Sequence, residues 1–130
     1  MGWWPFTWRG SGQSRGVRGE RAAARYLKSH GFRILARNYS CPAGEVDLVA
    51  LDGATLVFVE VKTRADESFA SAESAVNRAK RAHLCRAAQY YIRHKRAHDR
   101  PARFDVIAVV MPDNVAVELR HTPNAFSFIY

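Results

Sequence analysis

Only two cysteines, Cys41 and Cys85, stand among the 130 residues. They form no CxxC pair and no metal-ligand cluster, which excludes a disulfide framework and a thiolate zinc site. Long hydrophobic runs are also missing: none approaches the roughly 18 residues of a membrane span, so no membrane association is expected. The opening MGWWPFTWRG is aromatic and broken by Pro5, and it has neither the apolar core nor the small-residue cleavage site of an export signal. Residues 1–15 are therefore expected to be a flexible aromatic and basic leader, and both thiols to be reduced in a cytoplasmic protein. The histidines at 30, 83, 94, 98 and 121 form no pair at metal-ligand spacing within a helix or strand. The glycines of GSGQSRG are not a dinucleotide loop, since Arg15 stands where a third glycine is needed and no strand precedes them.

Acidic residues are scarce as well. Asp and Glu number 12 against 20 Lys and Arg, a net charge of +8, and such an excess favours a polyanionic partner. The excess is concentrated. From Arg9 to Arg37 eight basic residues face only Glu20, and a second cluster runs from Arg78 through Lys80, Arg81 and Arg86 to Arg96. Nucleic acid is the expected partner.

The length is that of one domain, and 48% apolar composition can fill a single core over residues 16–130. Val17 to His30 has helical periodicity, with Gly31 placed to cap it. FRILARNY, EVDLVAL and LVFVEVKTR read as three strands, the last two joined through Asp52-Gly53, a hairpin signal. A long helix is expected from about Ser71 to Arg96, then strands at RFDVIAVV and VAVELRH. Helix, three strands, helix, two strands predicts an α/β fold with a mixed sheet of about five strands flanked by helices.

Charged residues interrupt these apolar patterns at a few places. Glu20 shares the apolar stripe of the first helix with Val17, Ala23, Ala24 and Leu27, and Lys80 shares that of the second with Val76, Leu84, Ala87 and Tyr91. Strand alternation puts Glu60 and Lys62 on one face, and Glu45, Asp47, Val49 and Leu51 on one face of the preceding strand. A four-residue DGAT loop pairing Leu51 with Leu56 sets Asp47 opposite Glu60, and a loop of Asp52-Gly53 alone sets them diagonally on the same face. Two adjacent carboxylates repel each other unless a cation lies between them, and Mg²⁺ accepts one or two carboxylates plus waters and phosphate oxygens. Lys62 is placed to orient or deprotonate an attacking water and to offset charge at a phosphate. An E-x-K alone is weak, being common as a cross-strand ion pair; Asp47, Glu20 and Lys80 are what give it weight. Asp105 is expected to be structural, paired with Arg103 or another arginine.

GERAAARYL at Gly19, RILARNY at Arg33, GEVDLVA at Gly44, LVFVEVKTR at Leu56 and RFDVIAV at Arg103 together resemble the YraN-like family of bacterial proteins, from about residue 16 to Asn124-Ala125-Phe126. That family is similar to the PD-(D/E)xK nucleases and related in fold to archaeal Holliday-junction resolvases. The resemblance implies a restriction-endonuclease-like fold, metal-binding Asp47 and Glu60, a catalytic Lys62, and Glu20 as the N-terminal helix glutamate. The proline of the superfamily label is absent, Val46 preceding Asp47.

The resulting expectation is a nuclease dependent on Mg²⁺ or Mn²⁺ that cleaves DNA, at branched or distorted structures by analogy with resolvases. Asp47, Glu60 and the Val61 backbone carbonyl would hold the metal, with Glu20 binding a second ion or orienting a water. Arg64, Lys80, Arg18, Arg21, Arg78 and Arg81 would hold phosphates. A homodimer is implied by the resolvase analogy. Two rivals stand beside this reading: a non-catalytic nucleic-acid-binding module of the same fold, and an interaction subunit whose Trp3, Trp4, Phe6 and Trp8 engage a protein partner.

Overall fold

A computed structural model describes residues 15–65, 76–112 and 118–128; the expected leader lies outside them except for Arg15, which opens the first helix instead. Helix α1 (Arg15–Ser29) leads into strands β1 (Arg33–Cys41), β2 (Gly44–Asp52) and β3 (Thr55–Arg64), then helix α2 (Arg78–His94), β4 (Ala102–Val110) and β5 (Glu118–Phe126). The strands lie side by side in chain order as one five-stranded sheet. Only β3 and β4 are parallel, and α2 lies between them in the chain, as a parallel pair requires. The arrangement is α/β, consistent with a restriction-endonuclease-like fold.

Among the described residues, each sheet face carries one helix. Ala23, Ala24 and Leu27 of α1 pack on Leu48, Val57, Val59, Val61, Ile107 and Val109. Leu84, Ala87, Ala88 and Tyr91 of α2 pack on Val49, Leu56, Phe58, Phe104 and Val106. Phe58 and Phe104 are fully buried there, and each such side chain contributes about 2–3 kcal/mol. The near-continuous apolar run of β3 follows from its central place, covered on both faces.

Local chemistry sets the boundaries. Gly31, at φ +88°, ends α1, and the Phe32 N–H closes back on the Leu27 carbonyl at 2.9 Å. The second helix starts later than its apolar stripe suggests. Asn77 caps it, its side chain accepting from the Lys80 N–H at 3.0 Å, so Val76 stands before the helix; residues 71–75 lie outside the described ones. Gly53, at φ +60°, is the first central residue of the β2–β3 turn, with Asp52 paired to Thr55 and Leu51 to Leu56. Strand β5 runs on to Phe126 because its pairing with β4 shifts between Phe104 and Val106, which accommodates Pro123 and a left-handed Asn124 in an edge strand. None of the described helices is long and apolar enough to cross a membrane.

Candidate active site

The β2–β3 register runs Asp52↔Thr55, Leu51↔Leu56 and so on to Leu48↔Val59, and its next step places Asp47 against Glu60. The ladder is replaced at that step. The Val61 N–H, instead of continuing main-chain pairing, donates to Asp47 Oδ2 at 2.8 Å. Neighbouring residues fix the orientation: the Leu56 N–H reaches Pro101 O and the Met111 N–H reaches Arg64 O, so even-numbered residues of β3 turn their polar groups to β4. Odd-numbered ones face β2. Because one strand residue's N–H and C=O project to the same edge, the Val61 carbonyl also faces the Asp47 side.

Strict alternation does not hold through this row. Val46 and Val49, three residues apart, both pack under α2, while Leu48 packs under α1. The sequence places Asp47 on the Val49 face; β2 instead changes phase around Asp47. Its carboxylate thereby meets partners from both sides of the sheet, Glu60 from β3 and Glu20 from α1.

Glu60 is 4% exposed. A buried carboxylate requires compensation, and two ammonium groups supply it: Lys62 Nζ at 3.1 Å and Lys80 Nζ at 3.4 Å, both on Oε2. Lys80 arrives from the first turn of α2, so its place on the apolar stripe is explained by a partner rather than by snorkelling. Burial, with the charges of Glu60 and Glu20 and a hydrogen bond to Glu60, pushes the Asp47 carboxyl well above the usual range, against the pull of the Val61 N–H. Burial likewise raises Glu20, with Glu60 and Glu45 adding to it and hydrogen bonds from Asn38 and Asp47 opposing. Acids from three elements thus act on one another, and two amines hold one of them, Glu60.

The basic residues are placed less uniformly. Arg21 and Arg78 are exposed and Arg18 is half-buried. Arg64 donates to Thr63 O at 3.1 Å. Arg81 is committed to packing, its Nε on Val76 O at 2.9 Å and its guanidinium over the Phe126 ring at 5.2 Å. Asp105 lies elsewhere, fully buried beneath α1 and bound by Arg103 Nε at 2.9 Å, His121 Nε2 at 2.7 Å and the Asn124 N–H at 3.0 Å. It is a structural hub, joined to Tyr26 of α1 through His121 Nδ1 at 3.2 Å.

A model of the Uncharacterised protein family UPF0102 matches residues 19–109. The chain belongs to UPF0102. It is similar to the UPF0102 protein of Geobacter sulfurreducens, 45% identical over 88% of this chain and 90% of the relative. The UPF0102 protein of Moorella thermoacetica is 47% identical over 73% of the chain and 79% of its own length. That of Geotalea daltonii is 44% identical over 86% and 88%. The UPF0102 match takes in Glu20, Asp47, Glu60, Lys62 and Lys80, and begins at a residue whose importance the sequence concealed. Gly19 is buried against β3: a Cβ there would fall on Thr63 Oγ1, with Thr63 Cβ at 3.1 Å and Cγ2 at 3.2 Å. This absence of a side chain lets α1 approach closely enough to deliver Glu20. Asn38 is the other concealed residue, and low strand propensity is the only trace it leaves in the sequence.

The donors fit a hard divalent cation. Asp47, Glu60, Glu20 and the Val61 carbonyl are all oxygens, the set that Mg²⁺ and Mn²⁺ prefer. Among the described residues no group of three or more His, Cys, Asp or Glu side chains is arranged to hold an ion. An ion held here would have to draw most of its ligands from waters or phosphate oxygens.

Proposed function

We propose that this chain is a metal-dependent nuclease that hydrolyses DNA phosphodiesters. The observation that carries the reading is the row at which β2 and β3 stop pairing. There Asp47, Glu60 and Glu20 converge beside Lys62.

Asp47, Glu60 and the Val61 carbonyl would hold Mg²⁺ or Mn²⁺, with Glu20 at a second ion or a water. The bound ion would supply Lewis acidity toward a phosphoryl oxygen. Lys62, now held by Glu60, would turn its ammonium to the attacking water and the phosphoryl oxygen, orienting the one and offsetting charge on the other. Lys80, Arg64, Arg18, Arg21 and Arg78 would hold flanking phosphates without reading bases. Arg81 would offer a phosphate its terminal N–H₂ groups, since its Nε–H is given to Val76 O.

One observation favours the rival reading of a non-catalytic DNA-binding module. Glu60 Oε2 is occupied by two lysines, Lys62 and Lys80. The two readings separate at Lys62→Ala. A nuclease loses Mn²⁺-dependent cleavage by about 10²-fold or more while DNA affinity stays within a factor of two or three. A binding module shows no cleavage in either form.

A further inference from the structure

The β1–β2 register runs Arg37↔Leu48 and then Tyr39↔Val46, passing over the step at which Asn38 faces Asp47. At that step Asn38 is left-handed, φ +52°, inside a strand. A non-glycine residue held there is strained, and asparagine is among the few that tolerate it. The kink reverses the strand's phase: Ala36 and Tyr39, three residues apart, both pack toward α2. Asn38 and Glu20 line one cleft, and the Asn38 side chain holds the Glu20 carboxyl down against the effect of its burial. A carboxylate only accepts, so the amide would act on it through its N–H₂.

Glu20 needs such a hold. Glu60 and Glu45 repel it, and a cleft of about 170 Å³ lined by Val17, Glu20, Arg21, Arg37, Asn38 and Leu48 gives it room to swing toward two arginines. Gly19 brings the helix close but does not fix the rotamer. We propose that Asn38 is the positioning residue for Glu20, its strained backbone aiming an amide that holds this carboxylate against Asp47 and Glu60. The consequence for metal binding and cleavage rests on the nuclease reading; the contact between Asn38 and Glu20 does not.

Two variants separate the amide from the backbone. Asn38→Gly adopts the left-handed conformation without penalty but has no amide, and Asn38→Asp keeps the shape while replacing the donor by an acceptor. In Asn38→Gly the melting temperature is expected to stay level or rise while Mn²⁺ affinity by calorimetry falls about tenfold or more, as for other lost supports of metal ligands. Cleavage should fall through kcat with KM for DNA unchanged, Asn38→Asp should be at least as impaired, and neither should add to Glu20→Ala. Asn38→Gly with wild-type Mn²⁺ affinity would overturn the assignment and leave Asn38 a turn residue. A readout free of metal is the Asn38 side-chain amide resonance in chelator. Glu20→Ala is expected to shift it, and an unmoved resonance overturns the proposal whatever the activity. If the wild-type chain binds no Mn²⁺, the nuclease reading fails while that resonance still decides the contact.

Discussion

Individual carboxylates here are placed against their own electrostatic interest. Asp47 is buried beside two other acids, and its raised pKa means that the folded chain binds its proton more tightly than the unfolded chain does. Such a group costs stability as pH rises from the unfolded value of about 4 through the folded value. Asp47→Asn should therefore raise the melting temperature in chelator at neutral pH, by about 4 °C for each kcal/mol of relieved repulsion, while abolishing cleavage. Thermal melts of both forms in chelator and in Mn²⁺ check this; an Asn variant that melts lower in chelator would mean the carboxylate is already compensated. The pairing of Glu60 with Lys62 is legible in the sequence because it needs only strand alternation. The meeting of Asp47 with Glu60 needs one further fact, the register set by the Gly53-Ala54 turn. Asn38 is illegible, since its left-handed backbone is imposed by the neighbouring strand and by Glu20, neither adjacent to it in the chain.

At the scale of elements, the seating of α1 on the sheet controls the site. Gly→Ala in a helix ordinarily stabilises by about 1 kcal/mol, but Gly19→Ala places its methyl on Thr63. The substitution is expected to lower the melting temperature, and Thr63→Ala in the same chain to restore part of it. A stabilised Gly19→Ala single variant would show that α1 has slack. The other end of α1 is fastened through Tyr26 and His121 to Asp105. Burial alone would raise the Asp105 carboxyl, but hydrogen bonds from His121, Arg103 and the Asn124 N–H, with the Arg103 charge, hold it below its ordinary value. A lowered folded pKa contributes stability that is present above about pH 4 and lost as pH falls through the folded value. Urea titrations from pH 6 to 3 should show that loss, and Asp105→Asn should destabilise the chain at pH 7 and flatten the profile. Helix and strand types are legible from apolar periodicity. Gly19 shares the buried stripe with Ala23, yet what it must clear, Thr63, is a tertiary fact. The start of α2 is displaced because the Asn77 cap overrides the apolar stripe.

For the whole molecule, the charge of +8 predicts DNA binding that weakens steeply with salt. The exposed Arg21 and Arg78 are expected to act additively, each alanine variant reducing the slope of log K against log salt by about 1 without changing sequence preference. Fluorescence anisotropy at a series of salt concentrations measures it, and an unchanged slope removes that arginine from the phosphate path. Charge, fold and acids acquire a common purpose only if the chain cuts. The decisive measurement is incubation with linear, nicked, flapped and four-way DNA in Mn²⁺ or Mg²⁺, with chelator and Glu60→Ala as controls. Metal-dependent strand cleavage that disappears in both controls is the predicted result. Intact DNA throughout, bound equally well by the wild type and Glu60→Ala, would contradict it.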